Sequence, residues 1–377
     1  MHLTPGPSRA CINRPHHYHR RLEDFLTFLA SSPRTRSYVL ELRLIRPRFT
    51  NCVDDAQADA GAVATCHLAV LAEVVQKLPH LRTLHLQGVV FPTPEPFVTP
   101  STWVPRSLHR FEYIIPIAYG YSIGVGNATN VLSLFSSIRL LHLQGWNFDL
   151  LESTTSPDPL SSELSIEALN LVNFGGIDAF LRKFGPVLAS TVSPVTSLQL
   201  TVGPQRIFSD ALAIGHLWRI VSPTLVNLTL DLKRFQGCEY AGYYMRLYWH
   251  IDCASAVPKE ADVINSFDMS YCPKLTSATL DLYLQVMPTV PRVLQNAKVI
   301  LSRLLACPLL HHVTIHADVA DLPRLQASHK EPLEKVEAVL LKLLDRRVDI
   351  TVFSRGLTSW PPLIEDCTTR LFPRIKD

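Results

Sequence analysis

The chain has no long apolar run. No stretch approaches the roughly 18 residues that a helix needs to cross a bilayer, so a membrane-spanning protein is not expected. Paired cysteines are missing as well. The eight cysteines (Cys11, Cys52, Cys66, Cys238, Cys253, Cys272, Cys307 and Cys367) form no CxxC pair and are irregularly spaced. That pattern argues against a disulfide framework or a zinc ribbon and points to reduced, mostly buried thiols. Charge of one sign is nearly absent: 36 basic against 33 acidic residues leave a net +3. So small an excess supports neither a nucleic-acid partner nor a membrane surface. The proline-rich start, Met1 to Pro7, is followed by no apolar h-region, so no secretory leader is expected and the expected compartment is cytoplasm or nucleus. There is no GxSxG elbow, no HExxH and no GxxxxGK[ST]. An enzyme would need a convergent nucleophile, base and orienting group. None is found, so no enzyme and no cofactor are expected.

What is present is a repeat. The segment Leu78-Pro79-His80-Leu81-Arg82-Thr83-Leu84-His85-Leu86-Gln87-Gly88-Val89-Val90-Phe91 aligns with Phe135-Ser136-Ser137-Ile138-Arg139-Leu140-Leu141-His142-Leu143-Gln144-Gly145-Trp146-Asn147-Phe148, and 7 of 14 positions are identical. The shared LxxLxL pattern is the strand-bearing core of a leucine-rich repeat. It recurs at Ile166–Leu171, Val195–Leu200, Leu225–Leu230, Leu275–Leu280 and Leu310–Ile315, and more weakly at Val39–Leu44, Leu108–Tyr113 and Arg347–Val352. The middle apolar residues are Leu42, Leu84, Phe111, Leu141, Leu169, Leu198, Leu228, Ala278, Val313 and Ile350. Their separations are 42, 27, 30, 28, 29, 30, 50, 35 and 37 residues. Intervals of 27 to 30 suit a strand followed by a helix. One such unit cannot bury its apolar face alone, whereas stacked units share a core.

Apolar stripes between strands predict helices: Leu68, Leu71, Val75 and Leu78; Leu294, Ala297, Leu301 and Leu304; Leu333, Val336, Leu340 and Leu343. The prolines at 92, 94, 96, 100 and 105 predict a loop. The expected fold is α/β: a leucine-rich-repeat solenoid or horseshoe, with parallel strands on the concave face and helices on the convex face. The expected division is a flexible leading segment over 1–19, the array over 20–355 with an insertion at about 233–262, and a tail over 356–377. Within the insertion, Leu247, Trp249 and Ile251 alternate with polar residues, which fits either an extra strand or a structured loop.

The stretch Arg20-Arg21-Leu22-Glu23-Asp24-Phe25-Leu26-Thr27-Phe28-Leu29-Ala30-Ser31-Ser32-Pro33, leading into Tyr38-Val39-Leu40-Glu41-Leu42-Arg43-Leu44, resembles the junction of fungal, mushroom-type F-box-like leucine-rich-repeat proteins. The closing segment Val339 to Leu344 into Val348 to Val352 resembles that family's last helix and strand. The resemblance covers residues 16 to 355. It implies a substrate-recognition subunit of an SCF ubiquitin ligase, which docks on the Skp adaptor through its F-box. The roughly 20 residues ahead of the junction carry no Leu-Pro-x-Glu start of an F-box, the element through which docking on the Skp adaptor would run, so the resemblance leaves that docking open. The asparagine or cysteine usual five residues after the anchor is replaced by Val89, Trp146, Phe174 and Gly203. No asparagine ladder can hold these turns, and an irregular array is expected.

Strand side chains alternate, so the residues flanking each anchor share the concave face. One column holds His85, His142, Asn170, Gln199, Thr229, Thr279 and Thr314. The next holds Gln87, Gln144, Val172, Thr201, Asp231, Asp281 and His316. This polar face suits a protein or peptide partner and equally fits a merely solvated sheet face. The insertion offers a second candidate surface in Tyr240, Tyr243, Tyr244, Arg246, Tyr248 and Trp249, residue types common at binding hot spots. Packing of those rings onto the array is the structural alternative. No metal site is expected. The tract His16, His17 and His19 lacks a rigid frame, and His312 and His316 on one strand stand roughly 13 Å apart. The functional expectation is therefore a protein-binding scaffold, either a ligase substrate receptor or a scaffold unrelated to ubiquitin.

Overall fold

The computed structural model describes residues 2–3, 8–12, 18–45, 64–91, 104–114, 131–144, 164–174, 177–190, 194–202, 211–232, 264–285, 290–319, 321–355, 364–366 and 371–375. They fall into two units, one of residues 1–170 and 178–194 and the other of 171–177 and 195–377. Both are α/β.

The first unit contains β1 (His2–Leu3), β2 (Ser8–Ile12), α1 (Tyr18–Ser31), α2 (Pro33–Arg36), β3 (Val39–Ile45), β4 (Ala64–Thr65), α3 (Leu68–Lys77), β5 (Thr83–Gln87), β6 (Val89–Val90), β7 (Arg106–Ile114) and β8 (Phe135–Gln144). Strand β9 (Ser165–Phe174) carries the unit boundary, and α4 (Ile177–Leu188) follows it. The sheet order here is β1-β2-β3-β5-β7-β8-β9. Pairing from β2 through β8 is parallel, and Leu42, Leu84, Phe111 and Leu141 are register partners in turn. The second unit contains β10 (Ser197–Val202), α5 (Ala211–Val221), β11 (Asn227–Asp231), β12 (Ser277–Tyr283), α6 (Val290–Leu304), β13 (His312–Asp318), α7 (Leu322–Ser328), α8 (Lys330–Asp345), β14 (Asp349–Arg355) and β15 (Ile364–Asp366). From β10 to β14 its strands pair parallel in sequence order, with Leu198, Leu228, Ala278, Val313 and Ile350 in register. The repeat anchors are thus equivalent in space within each unit.

In the second unit helices pack on the anchor side of the sheet, α6 against β12 and α8 against β14. Leu42, Leu84, Phe111, Leu141, Ala278 and Val313 are fully enclosed, and Leu228 nearly so. Ile350 near the array's end is only half-buried. Each predicted helical stripe forms a helix: Leu71, Val75 and Leu78 line or end α3; Leu294, Ala297, Leu301 and Leu304 line α6; Leu333, Val336, Leu340 and Leu343 line α8. All are buried.

Two devices close the turns where an asparagine ladder is missing. The first is a proline turn ahead of the strand. In Leu78-Pro79-His80-Leu81, Ser222-Pro223-Thr224-Leu225 and Cys272-Pro273-Lys274-Leu275, the last N–H donates to the first carbonyl at 3.2 to 3.3 Å. Proline presets φ for the second turn position, while the outer residues are buried and the proline is exposed. Carbonyls then step from repeat to repeat: Thr196 O accepts from Val226 and Asn227, Val226 O from Thr276 and Ser277, and Thr276 O from His311 and His312, at 2.7 to 3.2 Å. The second device is arginine at helix ends, where the last carbonyls lack intrahelical partners. Arg106 donates to Gln76 O and Leu78 O at 2.8 and 3.0 Å after α3. Arg346 donates to Leu305 O and Cys307 O after α6.

The ends differ from the sequence reading. Within 1–19, expected to be a flexible leader, β2 pairs with β3 and β1 folds back antiparallel on β2. In the tail, β15 pairs antiparallel with β14, and Leu371, Phe372 and Ile375 are buried. An unpaired strand edge invites association with other chains; short antiparallel strands occupy both outer edges. No LxxLxL pattern marks such strands, which is why periodicity passed over them.

Candidate partner-binding face

In the first unit, the face turned away from the anchors carries rows of register partners. Arg43, His85, Glu112 and His142 form one row; Ile45, Gln87, Ile114 and Gln144 form the next. The predicted residues His85, His142, Gln87 and Gln144 therefore do come together. The expectation that these side chains stand open to solvent is corrected at His85, which is only 7% exposed. Its Nδ1–H donates to the Glu112 carboxylate on the neighbouring strand. Arg110 Nε donates to the other Glu112 oxygen at 2.6 Å. Held by two cationic or polar donors, Glu112 has its pKa lowered from 4.5 to about 2, the His85 hydrogen bond being the largest cause. Arg43 pairs with Glu41 on the same strand. His142 Nε2 lies 3.4 Å from Gln144 Oε1, and burial lowers its pKa below the ordinary 6.5.

The second unit carries a row of Gln199, Thr229, Thr279, Thr314 and Thr351, then a row of Thr201, Asp231, Asp281, His316 and Phe353. The predicted residues again fall into line. Thr201 and Asp281, expected at an open surface, are buried at 2% and 9% exposure; neighbouring side chains pack over them. His316 Nδ1 donates to Asp281 Oδ1 at 2.7 Å, and its ring lies 5.7 Å from Phe353. Thr201 Oγ1 donates to Asp231 Oδ2 at 3.4 Å. Thr314 Oγ1 is 2.9 Å from His312 Nε2. Asn170 closes the first unit with its Oδ1 buried and without a hydrogen-bond partner, and Val172 is half-buried.

The face is more charged than columns built on the leucine anchors imply. Arg43, Glu112 and Thr351 stand one residue after Leu42, Phe111 and Ile350, where His85 stands after Leu84. Extending the column through the weaker repeats was the signal that finds them. The aromatic and arginine set Tyr240, Tyr243, Tyr244, Arg246, Tyr248 and Trp249 lies outside the described residues, as do His16 and His17. Among the described residues, no group of three or more His, Cys, Asp or Glu is placed to hold a metal ion. No described helix is long and apolar enough to cross a membrane. Comparison with family models, curated proteins and solved structures returns no match for this chain.

Proposed function

We propose that the chain is a leucine-rich-repeat scaffold of the cytoplasm or nucleus that binds a protein or peptide partner on the polar sheet face. One observation carries this reading. Equivalent positions of successive repeats are register partners, so Thr229, Thr279 and Thr314 and their neighbours make rows of hydrogen-bonding groups opposite the apolar anchors. A repetitive polar surface backed by buried apolar anchors presents its hydrogen-bonding groups in fixed register, which lowers the entropic cost of association.

Photo-crosslinking tests it. A benzophenone side chain placed at Thr279 or Thr314 should capture the same partner, whereas one at Arg292 or Lys342, exposed on helices α6 and α8, should not. Equal capture from the helix positions, or none from the strands, overturns the reading. The narrower proposal, a substrate receptor for a ubiquitin ligase, rests on the resemblance of residues 16 to 355 to F-box-like proteins. Its test is co-expression with the Skp adaptor and cullin. Co-elution as one complex supports it. Failure to co-elute, under conditions where an F-box-bearing relative does, leaves a scaffold with no tie to ubiquitin.

A further inference from the structure

We infer that the rim of the first unit at which strands β3, β5, β7 and β8 begin is a dock for an Asp- and Glu-rich segment of the partner protein. This rests on the scaffold reading above and adds the partner's chemistry at a second surface.

These four strands run parallel, so the segments leading into them share one end of the sheet. The segments are 33–38, 78–82, 104–110 and 131–139. Together they carry Arg34, Arg36, Arg82, Arg106, Arg110 and Arg139, and neither a lysine nor any acidic residue. The Arg82 carbonyl accepts from the His109 and Arg110 N–H groups at 2.8 and 3.0 Å, and Arg110 is the register partner of Leu140, next to Arg139. Arg82, Arg110 and Arg139 thus stand at the starts of three adjacent strands, each about 4.8 Å from the next.

The groups that meet these guanidiniums leave most of the charge standing. Arg36 donates to Leu29 O and Ala30 O, and Arg106 to Gln76 O and Leu78 O. Carbonyls satisfy donors without cancelling a charge. Arg110 meets Glu112, and Arg139 meets Glu167 at 3.3 Å in a pair exposed on both sides. An exposed pair of that kind contributes little and a rival carboxylate can replace it. Arg34 and Arg82 are exposed, and no described side chain meets their guanidinium groups. Six arginines therefore stand against two glutamates. The corresponding segments of the second unit, 222–227, 271–277, 306–312 and 345–349, mix Lys274, Arg346 and Arg347 with Asp345 and Asp349. The excess belongs to one unit, and an acidic segment is its complement.

The choice of arginine over lysine fits the same occupant, because the planar guanidinium fork grips both oxygens of a carboxylate. Four strand starts span about 14 Å, the reach of about four extended residues. A single-stranded nucleic acid would ask for aromatic platforms along the track. The one exposed Tyr, Phe or Trp in these segments is Tyr38.

The test uses the full chain and a fluorescent peptide alternating Asp and Glu with Ser, compared by anisotropy with a peptide carrying Lys at the acidic positions. The acidic peptide should bind and the basic one should not. The Arg82→Gln/Arg139→Gln double variant should weaken binding about tenfold or more. A matched Lys335→Gln/Lys342→Gln double variant on α8 should change it by no more than about twofold. The Arg82→Glu/Arg139→Glu variant should lose the acidic peptide and gain the basic one, an exchange that unfolding does not produce. The inference is overturned by failure of the acidic peptide to bind, by equal losses from the rim and helix variants, or by an unchanged preference after charge reversal. Tighter binding of a single-stranded oligonucleotide than of the acidic peptide overturns it too. A partner still captured from Thr279 in any of these cases leaves the scaffold reading in place.

Discussion

His85 and Glu112, register partners on adjacent parallel strands, share a hydrogen bond in which the buried imidazole donates from Nδ1. The other ring nitrogen, Nε2, is buried without a partner. The pair therefore anchors one carboxylate at the cost of an unsatisfied imidazole nitrogen, and its stability depends on pH. Glu112 titrates lower in the folded chain than in the unfolded one. Its contribution is full above pH 4.5 and is lost as pH falls from 4.5 toward about 2. Glu112→Gln should cost about 1–3 kcal/mol at pH 7. The gap between variant and parent, read by urea denaturation, should close across that acid window. A gap that persists at low pH would contradict the assignment.

His142 provides a separate window. Burial lowers its folded pKa below 6.5, so the unfolded chain takes up a proton that the folded chain refuses. Stability should fall as pH drops just below 6.5, before Glu112 begins to titrate. His142→Gln should flatten that first step and leave the lower one intact. NMR titration of the His142 ring reads the same quantity directly.

Trp218 in α5 is 1% exposed, donates from Nε1 to Asp268 O at 2.8 Å and stands edge-on to Phe267 at 5.3 Å. It pins the segment that precedes β12 onto the helix layer. Trp218→Ala should cost about 3–5 kcal/mol through cavity formation and the lost bond. Trp218→Phe should cost less, since most apolar area remains. Denaturant midpoints of the two variants check the order.

Arg303 donates to Ile264 O, to Phe267 O at 3.0 Å and to Asn265 Oδ1 at 2.7 Å. Arg303→Met keeps much of the aliphatic stem and leaves these acceptors without their donor. A loss of about 1–3 kcal/mol is expected, with faster amide exchange at Phe267 and Asp268, whose N–H groups close the same turn. Unchanged exchange there would show that the clamp is dispensable.

Arg347 ends α8 in the left-handed region, φ 60, with Val348 N–H donating to Leu343 O and Arg347 N–H to Leu344 O. Glycine is the residue that this helix ending favours. Arg347→Gly should raise stability by up to about 1 kcal/mol, a gain that thermal denaturation would reveal. A loss instead would mean that the arginine side chain carries an interaction worth more than the strain.

The buried thiols Cys66 and Cys307 are pushed up to about 12 and about 11 by burial, and Cys272 is raised as well. All three should resist iodoacetamide at pH 8 in the native protein and react on unfolding. Peptide mapping after labelling distinguishes the two states.

The repeat was legible in the residues alone. A leucine deleted from LxxLxL leaves a hole in a shared core, so spacing between anchors records which side chains must stack; Leu84 and Leu141 in one unit, and Leu198 and Leu228 in the other, proved equivalent in space. The helical stripes were legible for the same reason. Periodicity carries no information about pairs that form across strands. Whether His85 meets Glu112, or His316 meets Asp281, depends on parallel register bringing residues 27 and 35 positions apart to one level. The same holds for β2 and for the edge strands β1 and β15, whose backbone partners have no side-chain signature. Local pattern settles which residues turn inward; charge, burial and hydrogen bonding on the opposite face are properties of neighbours, and only the folded chain supplies the neighbours.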